Sequence, residues 1–126
     1  MIWLPRLDTA QLIHHMPSST VMMGVPTFYV RLLADKNFNK SVARNMRLFV
    51  SGSAPLLTET FNSFKEVIGQ PILERYGMSE TVMLVSNPYK GSRVGGSVGL
   101  PLPGVKVRVV DESNQPCGID EIGSIQ

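Results

Sequence analysis

Two short segments combine residue types that could handle a phosphorylated ligand. Tyr76-Gly77-Met78-Ser79-Glu80-Thr81 offers an aromatic face for a base and a glycine that lets backbone approach closely. It also offers hydroxyls that can donate to phosphate oxygens and a carboxylate that can hold a hard cation such as Mg²⁺. Ser51-Gly52-Ser53-Ala54-Pro55 is small and rigid, and a loop of small residues lets backbone approach a ligand closely. Chemistry alone leaves a plainer reading open, in which Tyr76 is a core aromatic and Ser79 caps a helix with Glu80 and Thr81 in its first turn.

Other residues offer less. His14 and His15 are adjacent without a second ligand pair at metal spacing and read as a helix surface or core contact. Cys117, between Pro116 and Gly118, has no neighbouring base and reads as an inert thiol in a turn. Met16, Met22, Met23, Met46, Met78 and Met83 suit irregular core space, and Met78 and Met83 could also shape a ligand pocket. Gly91 to Gly99 lacks Gly-Lys-Ser/Thr and is not a Walker-type loop.

The elements that would position the two segments can be read from periodicity. Asp8 or Thr9 caps a helix bearing Leu12, Ile13 and Met16, ended by Pro17. Val21 to Met23 reads as a buried strand, and Pro26 opens a helix with Val25, Tyr29, Leu32 and Leu33 on one side. Arg47 to Val50 is a second strand. Leu57, Phe61, Phe64 and Ile68 then form a helical stripe, with Glu59 in its first turn and Gly69 past its end. Ile72 to Tyr76 makes a third strand. Strand and helix units in succession predict an α/β fold with a mostly parallel sheet, whose ligands sit beyond the carboxyl ends of the strands. Both chemical segments follow such ends.

After Asn87 the chain turns glycine-rich and β-rich. Val105, Val107 and Val109 alternate with Lys106 and Arg108 up to Val110 as a half-buried strand should, Asn114 to Gly118 reads as a turn, and Glu121 to Gln126 as its hairpin partner. Two portions follow, 1–90 with strand–helix units and 91–126 with a glycine-rich loop and hairpin.

Composition bounds the class. With 43% apolar and 17% charged residues, the 126-residue chain is too hydrophobic to be disordered and has the size of one core. A net charge of +2 without like-charge runs names neither nucleic acid nor membrane as a partner. The single cysteine permits no intrachain disulfide, and no apolar run is long enough to span a bilayer, so the expected compartment is the cytoplasm.

Tyr76 to Thr81 resembles the Tyr-Gly-Met-(Thr/Ser)-Glu-Thr signature of the adenylate-forming superfamily, the acyl-CoA synthetases and ligases. Gly52-Ser53-Ala54-Pro55-Leu56 resembles that superfamily's upstream Gly-(Gly/Ser)-Ala-Pro-Leu segment, in the expected order and spacing. The similarity extends through Met23 to Tyr29, Met46 to Leu57, Gly96 to Gly99 and Pro103 to Val105. Within the superfamily, Ser86-Asn87-Pro88-Tyr89 with Gly91, Arg93 and Gly96 looks most like the malonyl-CoA synthetases.

The resemblance implies roles. Tyr76 would pack on adenine, with Gly52, Ser53, Ala54 and Pro55 as another wall, and Gly77 and Met78 would lie near the acyl carbonyl. Ser79 would donate to the α-phosphate, Glu80 would bind Mg²⁺, and Thr81 would lie near the phosphates. The substrates implied are a carboxylic acid, ATP and coenzyme A. A dicarboxylate such as malonate needs a cation for its second carboxylate, for which Arg31 and Arg93 are the expected residues.

The resemblance also implies parts not in these 126 residues: a phosphate loop, a ribose-binding aspartate, a hinge and a C-terminal domain with a catalytic lysine. The chain is therefore expected to be an internal piece of the large N-terminal domain, inactive alone. Alternatives are a ligase for methylmalonate or another short or medium-chain acid, and a non-catalytic module that binds nucleotide weakly. Unpaired sheet edges would favour its self-association.

Overall fold

Regular structure begins where a short polar side chain can replace a missing backbone partner. The computed structural model describes residues 1–126, and helix α1 (Thr9–His15) is capped by Asp8, whose carboxylate accepts from the Gln11 N–H at 3.1 Å. A 3₁₀ turn containing Pro17 (Met16–Ser18) leads into strand β1 (Val21–Gly24). Pro26 opens α2 (Pro26–Ala34), where its absent N–H costs nothing.

Strand β2 (Leu48–Ser51) feeds α3 (Thr58–Ile68), which carries Glu59 in its first turn. Gly69 ends α3 in the left-handed conformation at φ 82°, which glycine reaches without a Cβ penalty. Phe61, Phe64 and Ile68 are buried as their spacing requires. Leu57 departs from the stripe: it is the residue before the helix and is exposed.

Strands β1, β2 and β3 (Leu73–Met78) are parallel neighbours, with Val21 opposite Leu48 and Val50 opposite Leu73. The expected succession of strand–helix units stops there. No helix follows β3; the chain reverses into antiparallel β4 (Val82–Ser86), and β5 (Leu100–Pro101) pairs antiparallel with β4 at the far edge. The five-stranded sheet runs β1-β2-β3-β4-β5, leaving β1 as an open edge.

Because β5 lies in the 91–126 portion yet completes this sheet, the division drawn after residue 90 cuts through one structural layer. The expected Val105 to Val110 strand is also shorter. Gly104 at φ 83° and a Val105 N–H bond to the Leu102 carbonyl close a turn, so only β6 (Val109–Val110) remains, pairing with β7 (Ser124–Ile125) in a separate two-stranded sheet.

The two longer helices pack on one sheet face through aromatic contacts. Phe64 of α3 meets Tyr29 of α2 at 5.3 Å, Phe38 at 5.6 Å and Phe49 of β2 at 4.9 Å between ring centroids. The Tyr29 hydroxyl donates to the Val50 carbonyl at 2.6 Å, and burial lifts its pKa well above the usual phenol range. No helix is long and apolar enough to cross a membrane.

Phe64→Ala should lower unfolding free energy by about 3–5 kcal/mol, since it opens a cavity beside three aromatic rings. Urea denaturation with Val67→Ala as control checks this; a Phe64→Ala loss no larger than the control's would remove Phe64 from the centre of the core.

Candidate functional site

Where β1 and β2 end, backbone is drawn close and side chains are small. Gly24, Val25, Phe28, Val50, Gly52, Ser53 and Arg75 line a cleft of about 230 Å³ at the carboxyl edge of the sheet. A Cβ on Gly52 would sit 3.3 Å from the Arg75 carbonyl oxygen, tighter than ordinary packing allows. Ser53 occupies the left-handed region at φ 68°, a strained position for a residue with a side chain. Ala54 and Pro55 continue the loop along the surface, and Leu56 turns inward.

The second segment is not a loop after a strand. Tyr76 lies within β3 opposite Val85, Gly77 opposite Met83 and Met78 opposite Val82, with a bulge between Tyr76 and Gly77. The turn is closed by the Thr81 N–H donating to the Met78 carbonyl at 3.2 Å. Ser79 therefore caps no helix, because the apolar run Val82–Val85 claims the chain for a second strand. Gly77 is required: a Cβ there would collide with the Val82 carbonyl. Val82 itself sits at φ 59°, where a β-branched residue is strained.

This hairpin presents its chemistry outward. Tyr76 and Gly77 are half-buried, while Met78, Ser79, Glu80 and Thr81 are exposed at the tip. The loop after β2 and the β3 hairpin spring from paired strands, Ser51 being opposite Glu74. Gly52, Ser53 and Tyr76 are thus brought to one edge. A hydroxyl, a carboxylate and an aromatic ring here can bind a phosphate, a cation and a planar base. No group of three or more His, Cys, Asp or Glu side chains could hold a metal unaided.

The arginines divide. Arg31, in the last turn of α2, is exposed and borders a surface depression with Thr9, Ala34, Asp35, Lys36 and Asn37, apart from the cleft-lining residues. Arg93 is committed to main chain: its guanidinium donates to the carbonyls of Pro71 at 2.6 Å, Tyr89 at 2.9 Å and Pro88 at 3.1 Å. Those bonds hold down the glycine-rich segment and leave few donors for a ligand. Burial holds its pKa below the ordinary arginine value.

Arg75, which sequence reasoning passed over, lines the cleft, and its one side-chain hydrogen bond is to the Met83 sulfur at 3.1 Å. Glu74 was passed over too; it is buried, and its Oε1 accepts from the Leu56 N–H at 2.9 Å. The signal was present: adjacent opposite charges inside a strand that otherwise begins as buried apolar sequence are unusual.

Residues 4–126 match the AMP-binding enzyme family. The chain is 42% identical over 113 residues to the malonate–CoA ligase of Arabidopsis thaliana, covering 83% of this chain and 19% of that protein. ATP-bound MatB from Rhodopseudomonas palustris superposes with a TM-score of 0.94 at 49% identity, covering 99% of this chain and 25% of that one. A malonyl-CoA ligase in a ternary product complex with methylmalonyl-CoA and AMP superposes at 0.82 with 35% identity, over 96% of this chain and 27% of that one. The chain thus spans 19% of the length of the curated relative.

Gly77→Ala should displace the hairpin, lowering stability by about 1–3 kcal/mol through the forced backbone shift; unchanged thermal unfolding would contradict the close approach. Burial also raises the Glu74 pKa above its ordinary 4.5, against the lowering effect of the Leu56 N–H. The native state then binds this proton more tightly than the unfolded chain, so the contribution is full below 4.5 and lost as pH rises through the folded value. Relative to Glu74→Gln, the wild-type chain should lose urea resistance as pH rises above 4.5. A flat difference would mean that Glu74 is not desolvated.

Proposed function

The chain belongs to the AMP-binding enzyme family, and from that premise we propose that it is part of a longer ATP-dependent ligase joining malonate to coenzyme A. The observation that carries this is the meeting of the Gly52–Pro55 loop and the Tyr76–Thr81 hairpin at one strand edge, beside a cleft lined by Arg75. The names of the malonate–CoA ligase and MatB relatives support the choice of acid.

In this reading one malonate carboxylate oxygen attacks the α-phosphorus of ATP and expels pyrophosphate, giving malonyl-AMP. The thiol of coenzyme A then attacks the acyl carbon, loses its proton and expels AMP. Tyr76 stacks on adenine, with Gly52 to Pro55 as a second wall. The Ser79 hydroxyl donates to the α-phosphate, Thr81 lies near the phosphates, and Gly77 and Met78 border the acyl carbonyl. Donors placed where charge develops on phosphorus lower the barrier most.

Glu80, exposed and free of hydrogen bonds within the chain, suits a Mg²⁺ ion held chiefly by ATP oxygens, which needs only one or two protein carboxylates. When bound, that ion neutralises phosphate charge. Arg75 is the foremost residue for the free carboxylate, because it lines the cleft with most of its donors unspent. Arg31 is a second, carried in the last turn of the helix whose start adjoins Gly24 and Val25. Arg93 holds the glycine-rich segment instead.

Methylmalonate is the second reading of the acid, favoured by the relative bound to methylmalonyl-CoA. The 126 residues alone are proposed to be inactive, carrying most of the adenine site and part of the acyl pocket.

Thioester formation from malonate, methylmalonate, acetate and octanoate, with ATP and Mg²⁺, tests the proposal on the full-length protein and on this chain. Malonate preference in the former and silence in the latter are expected. Glu80→Gln and Ser79→Ala should each lower kcat by about 10²–10³. Arg75→Ala should lower kcat/KM for malonate by roughly tenfold or more while sparing acetate. A protein that prefers octanoate, or equal loss on both acids in Arg75→Ala, would overturn the dicarboxylate assignment.

A further inference from the structure

Glu74 is buried, with 3% of its surface exposed, and one of its carboxylate oxygens, Oε2, has no partner. Such a carboxylate is costly to keep in a strand where an apolar residue would pack without loss. What it does there is specific. Its Oε1 accepts from the N–H of Leu56 at 2.9 Å, across from β3 to the loop that follows β2. Leu56 is itself buried, so that N–H needs an acceptor within the protein, and Pro55 before it has no N–H to share the task. Leu57, at the start of α3, makes no side-chain cap.

The main chain of the same residue fastens the other side. The Glu74 carbonyl accepts from the Asn87 N–H at 3.0 Å and from the Asn87 amide at 3.2 Å. Asn87 is buried and in turn donates to the Ser97 carbonyl and accepts from the Val94 N–H at 3.3 Å. One residue therefore ties together the Gly52–Pro55 loop, β3 and the glycine-rich segment, two positions before Tyr76. By strand alternation, Glu74 and Tyr76 share a sheet face, opposite to that of Arg75.

We infer that Glu74 is a positioning residue: its carboxyl oxygen sets the Gly52–Pro55 loop at the spacing from Tyr76 that a planar base requires. This rests on the ligase reading above, although the tether itself does not. Glu74 touches no substrate and acts through the loop. The acceptor atom at its distance is what counts, not the charge, so glutamine satisfies the site and the shorter aspartate does not.

The test uses Glu74→Gln and Glu74→Asp in the full-length protein, with steady-state kinetics and backbone amide exchange. Glu74→Gln should keep KM for ATP within about threefold of wild type. Glu74→Asp should raise it roughly tenfold, with KM for the carboxylic acid and for coenzyme A moving less than about threefold. Amide exchange over residues 52–57 should quicken in Glu74→Asp and stay slow in Glu74→Gln, with α2 unchanged in both. Aspartate behaving like wild type while glutamine is impaired would show that charge matters and overturn the inference. So would a parallel rise of all three KM values, or exchange quickened across the whole sheet, which mark general loss of fold. If the wild-type protein forms no thioester, the ligase reading fails, and exchange at residues 52–57 still decides the tether.

Discussion

Phe64 touches a ring from α2, a ring from β2 and a ring from the segment after α2. The edge contact to Tyr29 fixes α2, the contact to Phe49 fixes α3 on β2, and Phe38 closes the gap left where the chain leaves α2. A helix held against its own sheet in this way sets the height at which each strand emerges. Tyr29 adds a polar stitch, since its hydroxyl reaches the Val50 carbonyl one residue before β2 ends. The crevice thus depends on packing well behind it: Gly24 and Ser51 are level because the aromatic cluster makes Met22 and Phe49 level.

Much of this was legible in the sequence for a physical reason. Asp8 as a cap, Pro26 at a helix start and Gly69 at a helix end report local requirements that the sequence must satisfy locally, and each was met, whereas the apolar stripes held except at Val25 and Leu57, which precede their helices. The hairpin was not legible. Met78 to Thr81 suits a helix start as well as a turn, and only the pairing of Val82 to Ser86 with β3 decides between them. The short β6 strand failed similarly: alternation is necessary for a half-buried strand, but Val105 was taken by a turn and had no partner to pair with.

The site divides along the same line. Its loops could be located because small residues and hydroxyls cluster there, and the resemblance attached roles to them. The work of individual charges could not be read, because an arginine's role depends on what surrounds it. Arg93 lies in the more suggestive sequence, yet its donors are turned on three carbonyls; Arg75 lies in a strand and faces the cleft. Buried polar groups must be satisfied before any ligand is served, and that accounting exists only in three dimensions.

The sheet joins two kinds of pairing, and they differ in the entropy needed to bring partners together. Tyr76 meets Val85 across a short turn, whereas Val21 meets Leu48 only after α2 and the following loop have been gathered in. Closing the shorter loop costs less and happens sooner. The hairpin carrying Tyr76 and Glu80 therefore needs only local pairing, while the opposing wall from Gly52 to Pro55 depends on the parallel strands. The crevice is therefore complete only once the long-range pairing has been made, and ligand affinity becomes a report on that pairing.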